Sequence, residues 1–442
     1  MILHMKRGII IFCVLILAAA NLAAQQDNTW TLEECISYAL EKNIQVRKSE
    51  LANQRYLTYA GQAKAQRFPS VNASVNHNFN WSKSNVSGEN GLNGTNGSNI
   101  SVNSGVTVFN GSKLTNQILQ ADLDVQSGIY SLETTKESVS LTILDSYLQV
   151  LYAEEQVNNS KKQIESTSGQ VDLARERLAM QLISQADYAQ VKSQLASEKL
   201  NLANAENQLA MAKVNLQQLM ELPVSDDFRI EHPVFGDDIN KNLVPDVGSI
   251  YETALSIKPQ IKNAAVSKEI ASLDEKIAKA GFYPVLSASA GLVTNYSSIG
   301  SDPYFSQIND GISPSVGLSL SIPVFQKNQV KTSVAIARIG YLDAELSEIN
   351  ARNELRKSIE QACLDVTSAQ IKYEGSLENY NATTESAALS AEKFRQGMIN
   401  SVDYLVSKTN LIVAESELLQ SKFNLIYSYK VLDFYKGIPL TL

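Results

Sequence analysis

Two hydrophobic periods divide this chain. Four stretches alternate apolar and polar residues one by one, separated by very long segments rich in Ala, Leu, Gln, Glu and Lys with almost no Gly or Pro inside. The alternating stretches predict strands, because successive side chains of an extended backbone point to opposite faces. In the first, Val71, Ala73, Val75, Phe79 and Trp81 share one face and Asn72, Ser74, Asn76, Asn78 and Asn80 the other, with His77 the one misfit. Its partner sets Ile100, Val102, Val106 and Val108 against Ser101, Asn103, Gly105 and Thr107. Further on, Leu286, Ala288, Ala290, Leu292 and Tyr296 alternate with Ser287, Ser289, Gly291 and Asn295. In the last, Val316, Leu318, Leu320, Ile322 and Val324 alternate with Ser315, Gly317, Ser319 and Ser321.

The long segments predict helices over 31–66, 112–179 and 185–220, then over 248–281, 327–395 and 401–435. Thr31-Leu32-Glu33-Glu34 opens the first with a capping box. At 1.5 Å per residue, segment 112–179 would run about 100 Å, beyond the size of a compact domain, so it must be a rod. The two shorter helices of each half, laid end to end, match the long one. Leu195, Leu202, Leu209 and Leu216 recur every seven residues, as do Leu411, Leu418, Leu425 and Leu432. That spacing keeps an apolar stripe facing a neighbour along a left-handed coil, and Ala196, Ala203 and Ala210 beside it permit close packing.

Both periods are written twice. A shift of 215 to 216 residues brings Phe68-Pro69 onto Tyr283-Pro284, Phe109 onto Phe325, Asp187-Tyr188 onto Asp403-Tyr404, and Leu222-Pro223 onto Ile438-Pro439. The predicted organisation is a signal peptide over 1–24, a first structural repeat over 25–223, an equatorial linker over 224–247 and a second repeat over 248–442. The strand pairs fall in 69–110 and 284–325.

A soluble sandwich would show the same alternation, and a fibrous coiled coil the same helices. The wet faces of the strands decide between them: they are Asn, Ser and Gly without charge, on strands near the ~9–11 residues of a tilted membrane strand. Phe79, Trp81 and Tyr296 lie toward the loop ends, where an interfacial aromatic girdle is expected. Four strands cannot close a barrel, since the smallest membrane barrels have about eight and an open edge in lipid costs several kcal/mol per unpaired group. Several chains must share one barrel. Lys83–Asn99 reads as a flexible exposed loop between the first two strands, and Ile299–Gly311 as its counterpart.

Composition narrows the function. Lys6 and Arg7, an apolar run from Ile9 to Ala20, and Ala23-Ala24 form an export signal with cleavage expected near Ala24. The run is too short to span a bilayer as a helix, and no later segment comes close. The formal charge of −8 becomes more negative without the two basic signal residues, which argues against nucleic acid. Cys35 and Cys363 read as isolated small apolar residues rather than a disulfide. His77 and His232 lack companions at ligand spacing, and Met180, Met211, Met220 and Met398 do not cluster. No phosphate-binding Gly loop or nucleophile elbow appears. No metal, cofactor or catalytic residue is therefore predicted, and the chain does not read as an enzyme.

The ordered marks resemble the TolC-like outer-membrane efflux protein family over essentially the whole mature length. They are the aromatic-Pro steps Phe68-Pro69 and Tyr283-Pro284, the passages Val108-Phe109-Asn110-Gly111 and Pro323-Val324-Phe325, and the helix-tip segments ending in Asp187-Tyr188 and Asp403-Tyr404. The resemblance implies a mostly α fold of long antiparallel coiled-coil helices with four transmembrane strands per chain. It implies a homotrimer with a twelve-stranded barrel in the outer membrane and a helical tunnel in the periplasm. The function implied is a passive export duct of a tripartite efflux or type I secretion system, docked to a periplasmic adaptor and an inner-membrane transporter. Helix tips marked by Gln181, Asp187, Gly397 and Asp403 would make the docking contacts. Asp403 matches a constricting Asp of the periplasmic entrance, with Arg395 as a basic neighbour, while Val406 stands where some members carry a second Asp. A plainer reading has Asp403 capping the helix after the tip turn or simply facing water. Gln181 occupies the place of Gly397 and is expected to turn through type I geometry. The alternative function, a periplasmic adaptor or a coiled-coil adhesin without a pore, lacks the compact lipoyl-like and small β-barrel segments an adaptor should show.

Overall fold

The computed structural model describes residues 29–84, 91–225, 227–233 and 246–442. The predicted signal peptide and much of the predicted linker lie outside the described residues. The first half runs β1 (Thr29–Trp30), α1 (Leu32–Lys42), α2 (Ile44–Ala65), β2 (Ser70–Ser84), β3 (Gly91–Phe109), α3 (Lys113–Ala179) and α4 (Gln185–Leu219). After β4 (Arg229–Ile230) come α5 (Val247–Ile257), α6 (Pro259–Lys279), β5 (Val285–Ser297), α7 (Tyr304–Asp310), β6 (Ser313–Ser321), α8 (Gln329–Arg395) and α9 (Ser401–Lys436). Helices α3 and α8 have 67 residues each. Among the described residues no helix is long and apolar enough to cross a membrane.

The described residues form two compact units, each drawing on both sequence halves: those within Met1–Lys48, Glu133–Lys258 and Asn353–Leu442 in one, those within Ser49–Leu132 and Pro259–Arg352 in the other. The first is helical. Its core holds Leu32, Ile143, Leu144, Tyr147, Leu151, Leu216, Leu355, Ile359 and Leu425, all almost fully buried. The parallel pair β1–β4 is fastened to it by the Tyr147 hydroxyl, 2.9 Å from the Glu231 carbonyl and 3.1 Å from that of Trp30. The heptad leucines are fully buried only at Leu216, Leu425 and Leu432; nearer the tips the buried row of α4 is Val191, Glu198 and Ala205, again seven apart. Ala196, Ala203 and Ala210 are exposed rather than packed beside the seam. Cys35 and Cys363 are both buried free thiols, and burial pushes the Cys35 pKa up to about 12.

Two helices predicted as continuous are broken, at Asn43 and at Lys258, 215 positions apart. Pro259 has no amide hydrogen and holds Lys258 extended (φ −67°, ψ 124°), which ends α5. Asn43 is also extended, and its Oδ1 accepts the Gln45 N–H at 2.8 Å, so it caps α2. Each break is tied to the end of the last helix of its own half. The Asn43 amide donates to the Leu219 carbonyl at 2.8 Å. The Lys258 ammonium pairs with Glu137 at 3.2 Å and lies 3.1 Å from the centre of the Phe434 ring.

The second unit carries one antiparallel sheet in the order β2-β3-β5-β6. It is an open sheet and not a closed barrel, as four strands require. The loop expected over Lys83–Asn99 is largely strand: β2 continues to Ser84 and β3 begins at Gly91, with residues 85–90 outside the described ones. Low strand propensity in the Asn, Ser and Gly run is overridden by the ladder, which continues through Trp81↔Gly94 to Ser84↔Gly91. The counterpart loop Ile299–Gly311 holds the helix α7.

Candidate functional site

Strand register sorts the sheet into two chemically distinct faces. Ala73, Val102, Leu292 and Pro314 stand side by side across all four strands, and the row of Val106, Ala288 and Leu318 lies on the same face. On the reverse, Asn72, Asn103, Gly291 and Ser315 form one row and Thr107, Ser287 and Ser319 another. Hydroxyl and amide pairs stitch that side together, as between Ser74 and Ser101 (2.8 Å) and from Asn99 to Asn295 (2.6 Å). The apolar face is open: Val316 is 88% and Leu318 77% exposed. A bulge at Val108 shifts the register between Thr107 and Phe109 where β3 leads to α3.

The three aromatic residues expected at the loop end share the apolar face. Phe79 and Trp81 stack with centres 6.3 Å apart, and Trp81 lies across Gly94, where a Cβ would come within 3.1 Å of its indole nitrogen. Tyr296 packs on Tyr304 of α7 at 4.6 Å.

The helical unit presents the second candidate region, two helical hairpin tips. Gln181 and Gly397 both take left-handed backbone, with φ of 61° and 74°. Around Gln181, Leu182 N–H donates to the Arg177 carbonyl and Gln181 N–H to that of Leu178, both at 2.9 Å. Around Gly397, Met398 donates to Lys393 (2.9 Å) and Gly397 to Phe394 (3.1 Å). Each turn is thus a Schellman motif, and the type I geometry expected at Gln181 is not adopted: closing α3 with paired 6→1 and 5→2 bonds requires positive φ at that residue.

After the turns, Ser184 caps α4 and Asn400 caps α9 by accepting the N–H groups of Asp187 (3.1 Å) and Asp403 (2.8 Å). Asp403 is therefore in the first turn of α9 and not its cap; it is exposed. Asp187 binds the Ser184 hydroxyl through one oxygen and the Ser401 hydroxyl through the other, each at 2.6 Å, so it joins the two tips. Those two donors, Ser184 foremost, hold its carboxyl below the usual carboxylate pKa. Arg395 forms its ion pair with Glu392 of its own helix.

Two polar features of the tips were not read from the sequence. The Arg177 guanidinium donates to the carbonyls of Phe394 (3.1 Å) and Arg395, closing the C-terminus of α8 from the other hairpin. Its partner Phe394 stacks on Tyr404 at 4.9 Å. Deeper in, Lys408 of α9 pairs with Glu198 of α4 at 3.1 Å, and Thr167 of α3 bonds to both. Glu198 is 2% exposed. Burial lowers the Lys408 pKa, and the Glu198 charge opposes that. Only the heptad spacing of Glu198 from Val191 hinted that this charge faces inward.

Among the described residues, no group of three or more His, Cys, Asp or Glu is placed to hold a metal ion. His232 pairs with Glu154 at 2.9 Å, and His77 lies on the apolar face of the sheet, 2.7 Å from the Ser98 hydroxyl. What the geometry offers is a two-faced sheet and a pair of latched helical tips.

Comparisons with known proteins agree with that picture. The sequence model of a family described as Outer membrane efflux protein matches residues 35–221 and 250–434. The chain is 22% identical over 436 residues to Outer membrane protein TolC of Escherichia coli (strain K12), covering 95% of this chain and 84% of that protein. It is 20% identical over 402 residues to Toxin and drug export protein A of Aggregatibacter actinomycetemcomitans, covering 89% and 83%. Its fold is similar to the crystal structure of the Campylobacter jejuni CmeC outer membrane channel, with a TM-score of 0.77, 16% identity, and coverage of 92% of this chain and 85% of that one.

Proposed function

The chain belongs to the outer membrane efflux protein family, and from that premise we propose that it is the outer-membrane duct of an export system, moving solutes without transforming them. It resides in the outer membrane, like the relatives it matches. Those relatives include exporters named for toxin and drug and for pyoverdine. The family is one of channels, and this chain supplies a passage and no energy source.

The observation that carries the reading is the sheet: one face mostly apolar and largely open, the other polar and uncharged, with β2 and β6 at unclosed edges. In lipid those edges need strands from further copies. A homotrimer supplies twelve strands, with the apolar rows facing acyl chains and the Asn, Ser and Gly rows lining water. Strands of 15 and 19 residues in β2 and β3 rise about 35–45 Å when tilted by roughly 45°, more than the ~25 Å apolar band. Their Asn and Gly-rich hairpin therefore stands outside the bilayer.

The two tandem repeats, 25–223 and 248–442 joined by 224–247, place equivalent hairpin tips at Gln181 and Gly397. These tips, with Asp187 and Asp403, dock to a periplasmic adaptor and through it to an inner-membrane pump. Three copies of exposed Asp403 ring the periplasmic entrance and favour cations, with Arg395 nearby to set local charge. Purified protein reconstituted into a planar bilayer tests the proposal. Discrete ion-conducting steps, from protein that fractionates with the outer membrane, are expected; protein that inserts without conducting contradicts a duct.

A further inference from the structure

His77 breaks the apolar alternation of β2, and α7 shows how the fold accommodates it. Register puts His77, Ser98 and Tyr296 in one row on the apolar face, just beyond the row of Val75, Ile100 and Thr294. The band of aliphatic side chains is thus interrupted by a histidine, a serine and a threonine before Phe79 and Trp81 resume it. Each of these polar groups is answered. His77 Nδ1 bonds with Ser98 Oγ at 2.7 Å, and Tyr304 of α7 donates its hydroxyl to the same serine at 3.3 Å. Thr294 donates to the Ile308 carbonyl of α7 at 2.5 Å. Ser98 is 5% and Thr294 7% exposed, on a sheet otherwise largely open.

Helix α7 is held on that face by further bonds. Gln307 accepts the Ser297 N–H at 3.0 Å and donates to the Ser297 and Asp302 carbonyls at 3.2 and 2.6 Å. Gly311 closes the helix where any Cβ would sit 2.6 Å from the Gln307 carbonyl. Its C-terminal end exposes Asn309 and Asp310, and at its start α7 exposes Phe305, 82% accessible, continuing the aromatic cluster of Tyr296 and Tyr304.

We propose that α7 is an interfacial helix on the outer wall of the barrel, covering the polar side chains of Ser98 and Thr294 in two adjacent rows and placing Phe305 in the headgroup–acyl boundary of the surrounding lipid. This rests on the reading of the apolar face as lipid-facing. The occupant is lipid because α7 lies on that same face and exposes an aromatic ring, as membrane-interface residues do. The Ser98 and Thr294 hydroxyls at this level would otherwise face acyl chains. The helix acts as a lid over a polar gap in the wall.

Site-directed nitroxide labels in the reconstituted protein test this. Cys35 and Cys363 are buried, so the parent protein serves as the blank. Labels go on Phe305→Cys, on Val316→Cys in the apolar face and on Ser289→Cys in the polar face. Collision rates are measured with oxygen, which partitions into lipid, and with a water-soluble nickel chelate. At Phe305 and Val316 oxygen collisions should exceed nickel collisions, with Phe305 nearer the surface by depth, while Ser289 should show the reverse. A Phe305 label that meets nickel, or neither reagent, beside a lipid-accessible Val316 overturns the proposal and leaves the channel reading standing. A nickel-accessible Val316 overturns the membrane reading itself. If Phe305→Cys does not insert, Phe305→Trp gives the same discrimination: quenching by lipids brominated near the headgroup, above the parental signal, is expected, and no added quenching overturns the proposal.

Discussion

Gln181 and Gly397, 216 positions apart, close the two helical hairpins with the same left-handed backbone, φ 61° and 74°. For glutamine that conformation costs about 1–2 kcal/mol, which glycine does not incur. Gln181→Gly should therefore slow local opening of its turn by up to about 1 kcal/mol, after allowance for the greater unfolded-state freedom of glycine. Gly397→Gln should lose a similar amount. Amide hydrogen exchange of the two turns, before and after substitution, reads both changes; equal exchange at Gln181→Gly contradicts the strain.

Lys408 and Glu198 form a buried pair among three helices. Removing one partner leaves the other charge uncompensated, so Lys408→Met or Glu198→Leu alone should destabilise the helical unit by about 3–5 kcal/mol. The double replacement should recover most of that loss. Thermal unfolding of the four proteins in a double-mutant cycle decides it, and additive losses would show that the pair is not coupled.

Asp187 links the tips through Ser184 and Ser401, and its folded pKa lies below the ordinary value of 3.8. A depressed carboxylate pKa contributes stability that is present above the unfolded value and lost as pH falls through the folded one. Protection of the first-turn amides of α9 should hold at neutral pH and decline only below about pH 4. Asp187→Asn should show the lower protection at every pH, and Ser401→Ala should weaken the dependence. An unchanged profile in Asp187→Asn would remove this link from the account.

Asp403 is exposed in the first turn of α9, and Arg395 is engaged with Glu392. If three Asp403 carboxylates ring the entrance, Asp403→Ala should lower cation preference and change single-channel conductance in a planar bilayer, most clearly at low salt, where the Debye length is long. Identical conductance and reversal potential would exclude the ring.

The features legible in the sequence are those set by local periodicity. Alternation from Val71 to Trp81 located a strand and its two faces, and the 216-residue repeat paired Asp187 with Asp403 before any contact was known. The misreadings arise where contacts distant in sequence decide. Nothing beside Asn43 marks a helix break; its partner is the Leu219 carbonyl, 176 residues away. At Lys258 the signal was present in Pro259 and outweighed by the helical composition around it. The Asn, Ser and Gly run at 91–99 lacks strand propensity and becomes strand because β2 pairs along all of it, with β5 joining from Gly97. Arg177 could not be singled out among surface arginines until Phe394 and Arg395 were placed beside it.

Native mass spectrometry of the protein extracted from outer membranes in detergent tests the central claim most directly, because a two-faced sheet with unpaired edges in lipid must be completed by further copies. Three chains per particle is the expected result. A folded single chain that stays soluble without detergent would contradict it.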